Sequence, residues 1–92
     1  MADLINDVEA SRYELRVDDD LAAYAEYILS NGLITFSHTE TLPEFERQGM
    51  ASKLVRGALD DVREKGERKV VPLCPFVKGW MANHPEYMDL HY

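Results

Sequence analysis

Three groups of residues have the types and spacing to do chemistry. The first is the stretch Leu42-Pro43-Glu44-Phe45-Glu46-Arg47-Gln48-Gly49-Met50-Ala51-Ser52-Lys53, which joins a strand-like run to an amphipathic helix with one glycine at the helix start. Such a turn points backbone N–H groups and the positive end of a helix dipole at one spot, which suits phosphate or diphosphate. The candidate donors are Phe45, Glu46, Arg47, Gln48, Gly49, Met50, Ala51 and Ser52, and small Ala51 and Ser52 allow an anion close approach to the backbone. A P-loop needs two glycines ahead of Lys-Ser/Thr, and a dinucleotide fingerprint needs three glycines with an acidic residue downstream; neither pattern is present. On spacing alone an ordinary strand-to-helix turn describes the stretch at least as well.

The second group is Cys74, which ends a short apolar run and precedes Pro75 at the start of a helical pattern. A helix N-terminus favours the thiolate of such a cysteine; the alternative is an inert buried thiol. The third is His38 with Glu40, alternating with Ile34 and Phe36 on one face of a strand. Two titratable groups on an apolar face need partners or a proton-transfer role. Alternatively, the strand flattens near its end and both reach solvent. His84, in Asn83-His84-Pro85, reads as a clasp for the C-terminal segment, with a position near Cys74 also open because the intervening helix is short. Asp18-Asp19-Asp20 lacks spaced ligands and reads as a solvated turn, so no metal site is expected.

These groups must be positioned by a small set of elements. Residues 1–10 are polar and read as loose. Residues 12–17 alternate Tyr13, Leu15 and Val17 with charged neighbours, the pattern of a half-buried strand. Residues 21–29 also fit a helical stripe, but their short length between two turn signals and the residues Tyr24, Tyr27 and Ile28 favour a strand. Asn31-Gly32 then closes a hairpin, and residues 33–42 form the next strand. The clearest helix follows, with Ala51, Leu54, Val55, Ala58, Leu59 and Val62 on one face and Gly66 as its cap. Residues 69–74, with Val70, Val71 and Leu73, read as a buried strand reached by a parallel crossover. Phe76, Val77, Trp80 and Met81 give a short apolar helix stopped before Pro85. The order β-β-β-α-β-α is an α+β domain: a mixed sheet of about four strands with one long helix on it.

Ninety-two residues make one domain, 1–92, at the small end of what folds unaided. No apolar run is long enough to span a membrane, no secretory pattern opens the chain, and a single cysteine forms no internal disulfide. A cytoplasmic protein is therefore expected, with no membrane partner. A net charge of −7 argues against nucleic acid. It also opposes a polyanionic ligand, although screening beyond about 8 Å and the local cations Arg47, Lys53 and Arg56 allow one.

The stretch 45–51 resembles motif A of the GNAT superfamily of N-acetyltransferases, [QR]-x-x-G-x-[GA], with Gly49 and Ala51 in the last two specified places. Glu46 stands where that pattern has Gln or Arg. Ile34-Thr35-Phe36-Ser37-His38-Thr39-Glu40, Val70-Val71-Pro72-Leu73-Cys74-Pro75-Phe76-Val77 and His84-Pro85-Glu86-Tyr87 extend the resemblance, in order and with matching spacing, to a compact GNAT-like family over residues 11–90. The resemblance implies a minimal GNAT-like (acyl-CoA N-acyltransferase) fold, binding of acetyl-CoA, and transfer of its acetyl group to a small-molecule or peptide amine. The diphosphate of coenzyme A would sit on residues 45–52, and the thioester carbonyl near residues 37–41. Cys74 would act as general acid toward the departing thiolate or as acyl carrier, with Glu40 or His38 as base. The chain is shorter than ordinary members and is expected to lack the N-terminal helices that usually wall the acceptor site, so a non-catalytic coenzyme A-binding or interaction module is the alternative. A monomer or weak dimer is expected.

Overall fold

The computed structural model describes residues 2–92. Five strands form one sheet in the order β1-β2-β3-β4-β5: β1 Ala2–Asp7, β2 Arg12–Val17, β3 Asp20–Ser30, β4 Leu33–Thr41 and β5 Lys69–Pro72. The first four make an antiparallel meander, and β5 joins β4 in parallel after the crossover helix α1, Met50–Lys65. Helix α2, Pro75–Ala82, follows β5, and 3-10 turns occupy Pro43–Phe45 and Pro85–Leu90.

The expected order thus gains a strand: the sheet has five strands rather than about four, and Ala2–Asp7 is β1 rather than a loose segment. Its composition hides it. Leu4 alone of its side chains packs on the core, reaching α1 where Gly57 leaves room; a Cβ there would stand 3.0 Å from Leu4 Cδ2. Asp3, Ile5 and Asp7 point the other way, and the two aspartates supply the charge that guards an edge strand.

One face of the sheet carries the core. Tyr13, Leu15, Ala23, Ala25, Tyr27, Ile34, Phe36 and Val70 pack against Leu54, Val55, Ala58, Leu59 and Val62 of α1. The sequence stripe therefore lies where its helical spacing puts it, and Gly66 (φ 64°) caps the helix by donating to Val62 O. The hairpin at Asn31-Gly32 needs only one left-handed residue, Gly32 at φ 74°, whereas Asp18 and Asp19 (φ 50° and 73°) make the two-residue turn between β2 and β3. Leu73 was expected in the core with Val70, but it is 67% exposed because β5 ends at Pro72.

A β-bulge in β4 sets up everything that follows. Tyr27 pairs with Phe36, but the next residue back, Glu26, pairs with His38, so Ser37 is an extra residue. A bulge of one residue shifts the side-chain alternation. Before it, Ile34 and Phe36 face the core; after it, Thr39 (opposite Ala25) and Thr41 (opposite Ala23) do. His38 and Glu40 are consequently on the outer face, opposite Glu26 and Tyr24, and not on the face of Ile34 and Phe36 where regular alternation puts them.

Candidate active site

Two features meet at one end of the sheet, an open helix start and a split between strands. The chain leaves β4, makes the 3-10 turn at Pro43–Phe45, and enters α1 through Arg47 (φ 65°) and Gly49 (φ 73°). Gly49 is the N-cap, so no side chain closes the helix, and its first turn carries no acidic residue. Among the described residues no protein acceptor takes the N–H of Met50, Ala51 or Ser52. Phe45 N–H donates to Leu42 O at 2.9 Å and Glu46 N–H to Pro43 O at 3.4 Å. The expected cradle of amides at 45–52 therefore begins after Glu46, because the 3-10 turn satisfies its own first donors.

Beside these amides is a cavity of about 370 Å³, lined by Thr41, Phe45, Glu46, Arg47, Gly49, Met50, Ala51, Ser52 and Phe76. Gln48 alone of the eight candidates is outside it, its side-chain amide donating to Glu44 O at 3.3 Å. Ser52 Oγ accepts from Trp80 Nε1 at 2.8 Å and so ties α1 to α2, with its own O–H left to donate. Of the three nearby cations Arg47 alone lines the cavity; Arg56 turns to the rings of Trp80 and Tyr87. Phe76, expected in the apolar stripe of the short helix, is 42% exposed and forms a wall of this cavity.

The split lies between β4 and β5. Their pairing runs from Leu33 with Lys69 to Phe36 with Pro72, and Cys74 N–H to Phe36 O at 2.8 Å is the last link. Residues 37–41 of β4 continue past it, 38–41 paired with β3 and none of them with β5. Cys74 caps the start of α2 inside this split and is 5% exposed. Its thiol donates to Thr39 Oγ1 at 3.4 Å. Burial pushes the thiol up, but hydrogen bonding from the Thr39 hydroxyl and from the amides of Val77, Phe76 and Thr39 outweighs it and holds Cys74 below its ordinary range. Thr39 is the residue the sequence reading missed. Only the bulge turns it inward, and nothing local in Phe36-Ser37-His38 announces a bulge.

His38 Nε2 and Glu40 Oε1 pair at 3.0 Å with both side chains about half exposed. They are neighbours of Thr39 in sequence but stand on the opposite side of the sheet, so the structure does not bring them onto the face of Cys74. His84 stays at the far end of α2: it stacks on Trp80 (ring centroids 3.7 Å apart) and Nδ1 donates to Trp80 O at 2.7 Å. Both contacts are with Trp80 of α2 rather than with the sheet or with Cys74.

An antiparallel meander is thus joined by a crossover helix to a parallel strand, which splits from its neighbour beyond a bulge. Residues 12–90 match the family of GCN5-related N-acetyltransferases. The chain belongs to that family. Among solved structures it is similar to a GCN5-like protein from Staphylococcus aureus (23% identity, TM-score 0.68, 89% of this chain and 81% of that one). It is also similar to the ribosomal-protein-S18-alanine N-acetyltransferase of Escherichia coli (20%, TM-score 0.58, 64% and 38%) and to a ribosomal-protein-alanine N-acetyltransferase of Brucella melitensis (19%, TM-score 0.53, 88% and 60%). At these identities the likeness is one of fold, and the chain spans little more than a third of the length of the E. coli enzyme. Comparison with curated proteins gives no significant match. Among the described residues no helix is long and apolar enough to cross a membrane.

Proposed function

We propose that this chain binds acetyl-CoA and transfers its acetyl group to an amine. The observation that carries the reading is the conjunction of open donors at the start of α1 with the adjoining split between β4 and β5. The cavity, the absence of an acidic first turn and the unfilled N-cap fit a diphosphate. When bound, acetyl-CoA supplies an acetyl group activated as a thioester.

In this reading the amides of Met50, Ala51 and Ser52 and the side chain of Arg47 hold the diphosphate. The free edge of β4 at residues 37–41 orients the thioester carbonyl. Cys74 holds a proton at Sγ for the departing thiolate, or accepts the acetyl group on Sγ before passing it on. Glu40 or His38 takes the proton of the amine on the outer face, directly or through water. The acceptor is a small-molecule or peptide amine, and the compartment is the cytoplasm.

A melting experiment tests the binding. Ligand at a hundred times its dissociation constant adds about 2.7 kcal/mol, a rise of roughly 10–20 °C in a domain of this size. A flat melting temperature with acetyl-CoA refutes the reading. Intact mass after incubation tests the covalent route; an adduct that survives Cys74→Ala excludes Cys74 as carrier.

One observation favours a second reading. The outer face, where His38 and Glu40 stand, is an open sheet surface with no helix over it among the described residues. A coenzyme A-binding module whose partner supplies the acceptor fits that openness. Binding without amine-dependent thioester loss across an acceptor panel identifies the module.

A further inference from the structure

A second cavity, of about 200 Å³, lies at the C-terminal end of α1. It lies along α1 from the Gly49 loop, and the 16 residues of that helix span about 24 Å. None of its lining residues belongs to the candidate active site. Its floor is Tyr13, Tyr27, Ile34 and Val62, all buried, with the two tyrosine rings 5.4 Å apart. Both hydroxyls are already committed: Tyr13 donates to Asp61 at 2.7 Å and Tyr27 to Asn6 Oδ1 at 2.6 Å. The floor therefore offers ring and methyl surface and wants an apolar body.

The rim is different. Val8 and Leu29 stand exposed beside the opening, at 66% and 46%. Lys65 Nζ reaches Asp61 at 2.8 Å with one of its three protons. Arg68 Nη1 donates to Ser30 O at 2.9 Å, and among the described residues no carboxylate pairs with its guanidinium. Glu67 is the only carboxylate among the lining residues. Asp61 neutralises Lys65, so the cation left at the opening without a carboxylate partner among the described residues is the Arg68 guanidinium. An amine would meet the Arg68 guanidinium as a like charge, whereas a carboxylate would meet its spare donors.

We propose that this cavity is a second binding site, for a small carboxylate carrying an apolar body the size of one ring. A comparable dry cavity of about 150 Å³ holds benzene, so this one admits a ring and a short acidic arm.

Phenylacetate is the probe, with phenethylamine as the same body of opposite charge and acetate as the charge without the body. Titrations into the full chain are read from amide ¹H–¹⁵N spectra. With phenylacetate, saturable shifts are expected at Asn6, Val8, Leu29 and Arg68 and none at residues 47–52. Phenethylamine and acetate bind at least about tenfold more weakly, the worth of one lost charge-assisted or apolar contact. Arg68→Gln weakens phenylacetate about tenfold, and Val8→Glu, a surface change that sets a carboxylate at the opening, does the same. Absence of saturation up to the probe's solubility overturns the proposal. So does equal binding of phenylacetate and phenethylamine, or shifts confined to the Gly49 loop.

Discussion

Glutamine in place of Glu46 should tighten coenzyme A binding, and the size of the gain follows from where Glu46 sits. The residue lines the cavity at the start of α1, yet its N–H is taken by Pro43 O. Its remaining influence on an anion is its carboxylate, and that is repulsive. Two unit charges 4 Å apart in water interact by about 1 kcal/mol. A carboxylate on the wall of the same open cavity lies within a screening length of about 8 Å. Against a diphosphate the net repulsion is therefore roughly 0.5–1 kcal/mol, a gain of about two- to fivefold in affinity on removal. Glu46→Lys reverses the sign and gains about twice that free energy. Glu44→Gln, just outside the lining, is the control and should change little. Calorimetric titration with coenzyme A and with pantetheine, which lacks the diphosphate, at low and physiological salt reads the effect. The gain should appear with coenzyme A only and shrink as salt rises. Unchanged or weaker binding of the Glu46→Gln protein at both salts refutes the diphosphate cradle at this loop.

Arg47→Gly should leave stability unchanged or up to about 1 kcal/mol higher, because relief of a left-handed φ of 65° offsets the greater freedom of glycine in the unfolded chain; coenzyme A affinity should nonetheless fall, as melting and titration together would reveal. Cys74 is the only cysteine, so thiolate absorbance at 240 nm reports it alone: ionisation should occur at lower pH folded than unfolded, and Thr39→Val should move the folded curve upward, whereas an unmoved curve denies Thr39 its part. Acid should destabilise the fold through Glu14 and Asp61. Burial alone would push both carboxyls up, but Arg12 and Arg16 on Glu14, and Lys65 and Tyr13 on Asp61, hold them below the ordinary range. A depressed folded value means stability that is present above the unfolded value near 4 and lost as pH falls through the folded one. Urea melts from pH 6 downward should therefore be flatter for Glu14→Gln with Asp61→Asn than for the parent.

Much of this fold is legible in the residues because their periodicity and caps agree. The stripe from Leu54 to Val62 ends at a glycine that takes the left-handed cap, and the run at Arg12–Val17 alternates in type, although Glu14 on the charged face is itself buried between Arg12 and Arg16. The Gly49 loop is legible for a related reason: a helix that begins on glycine has open amides whatever its neighbours are. What escaped is what depends on register. β1 has one core side chain, Leu4, so its strand character rests on pairing with β2 rather than on pattern. The faces of His38 and Glu40 hinge on one unpaired residue, which is neither glycine nor proline and carries no local mark. Phe76 sits next to the stripe of Val77, Trp80 and Met81, and its place on the cavity wall rather than in the core depends on the angle at which α2 leaves β5.

The Ser37 bulge joins these strands of argument, and its removal separates fold from chemistry. After the bulge Thr39 and Thr41 face the core, and before it Phe36 does. Deleting Ser37 places Phe36 next to His38 and restores plain alternation with every side chain keeping its present face: Phe36 inward, His38 outward, Thr39 inward, Glu40 outward. The sheet should accept this, since a regular ladder replaces an interrupted one, and the melting temperature should stay level or rise. The backbone of β4 would then run straight along β5, and the split that exposes residues 37–41 and receives the Cys74 thiol should narrow. Because the open amides belong to α1, coenzyme A should still bind, with its diphosphate contribution intact. Acetyl transfer, if the free edge of β4 orients the thioester, should collapse. A deletion protein that folds, binds and turns over like the parent would show that the bulge merely accommodates an extra residue, and the catalytic reading of the β4–β5 split would go with it.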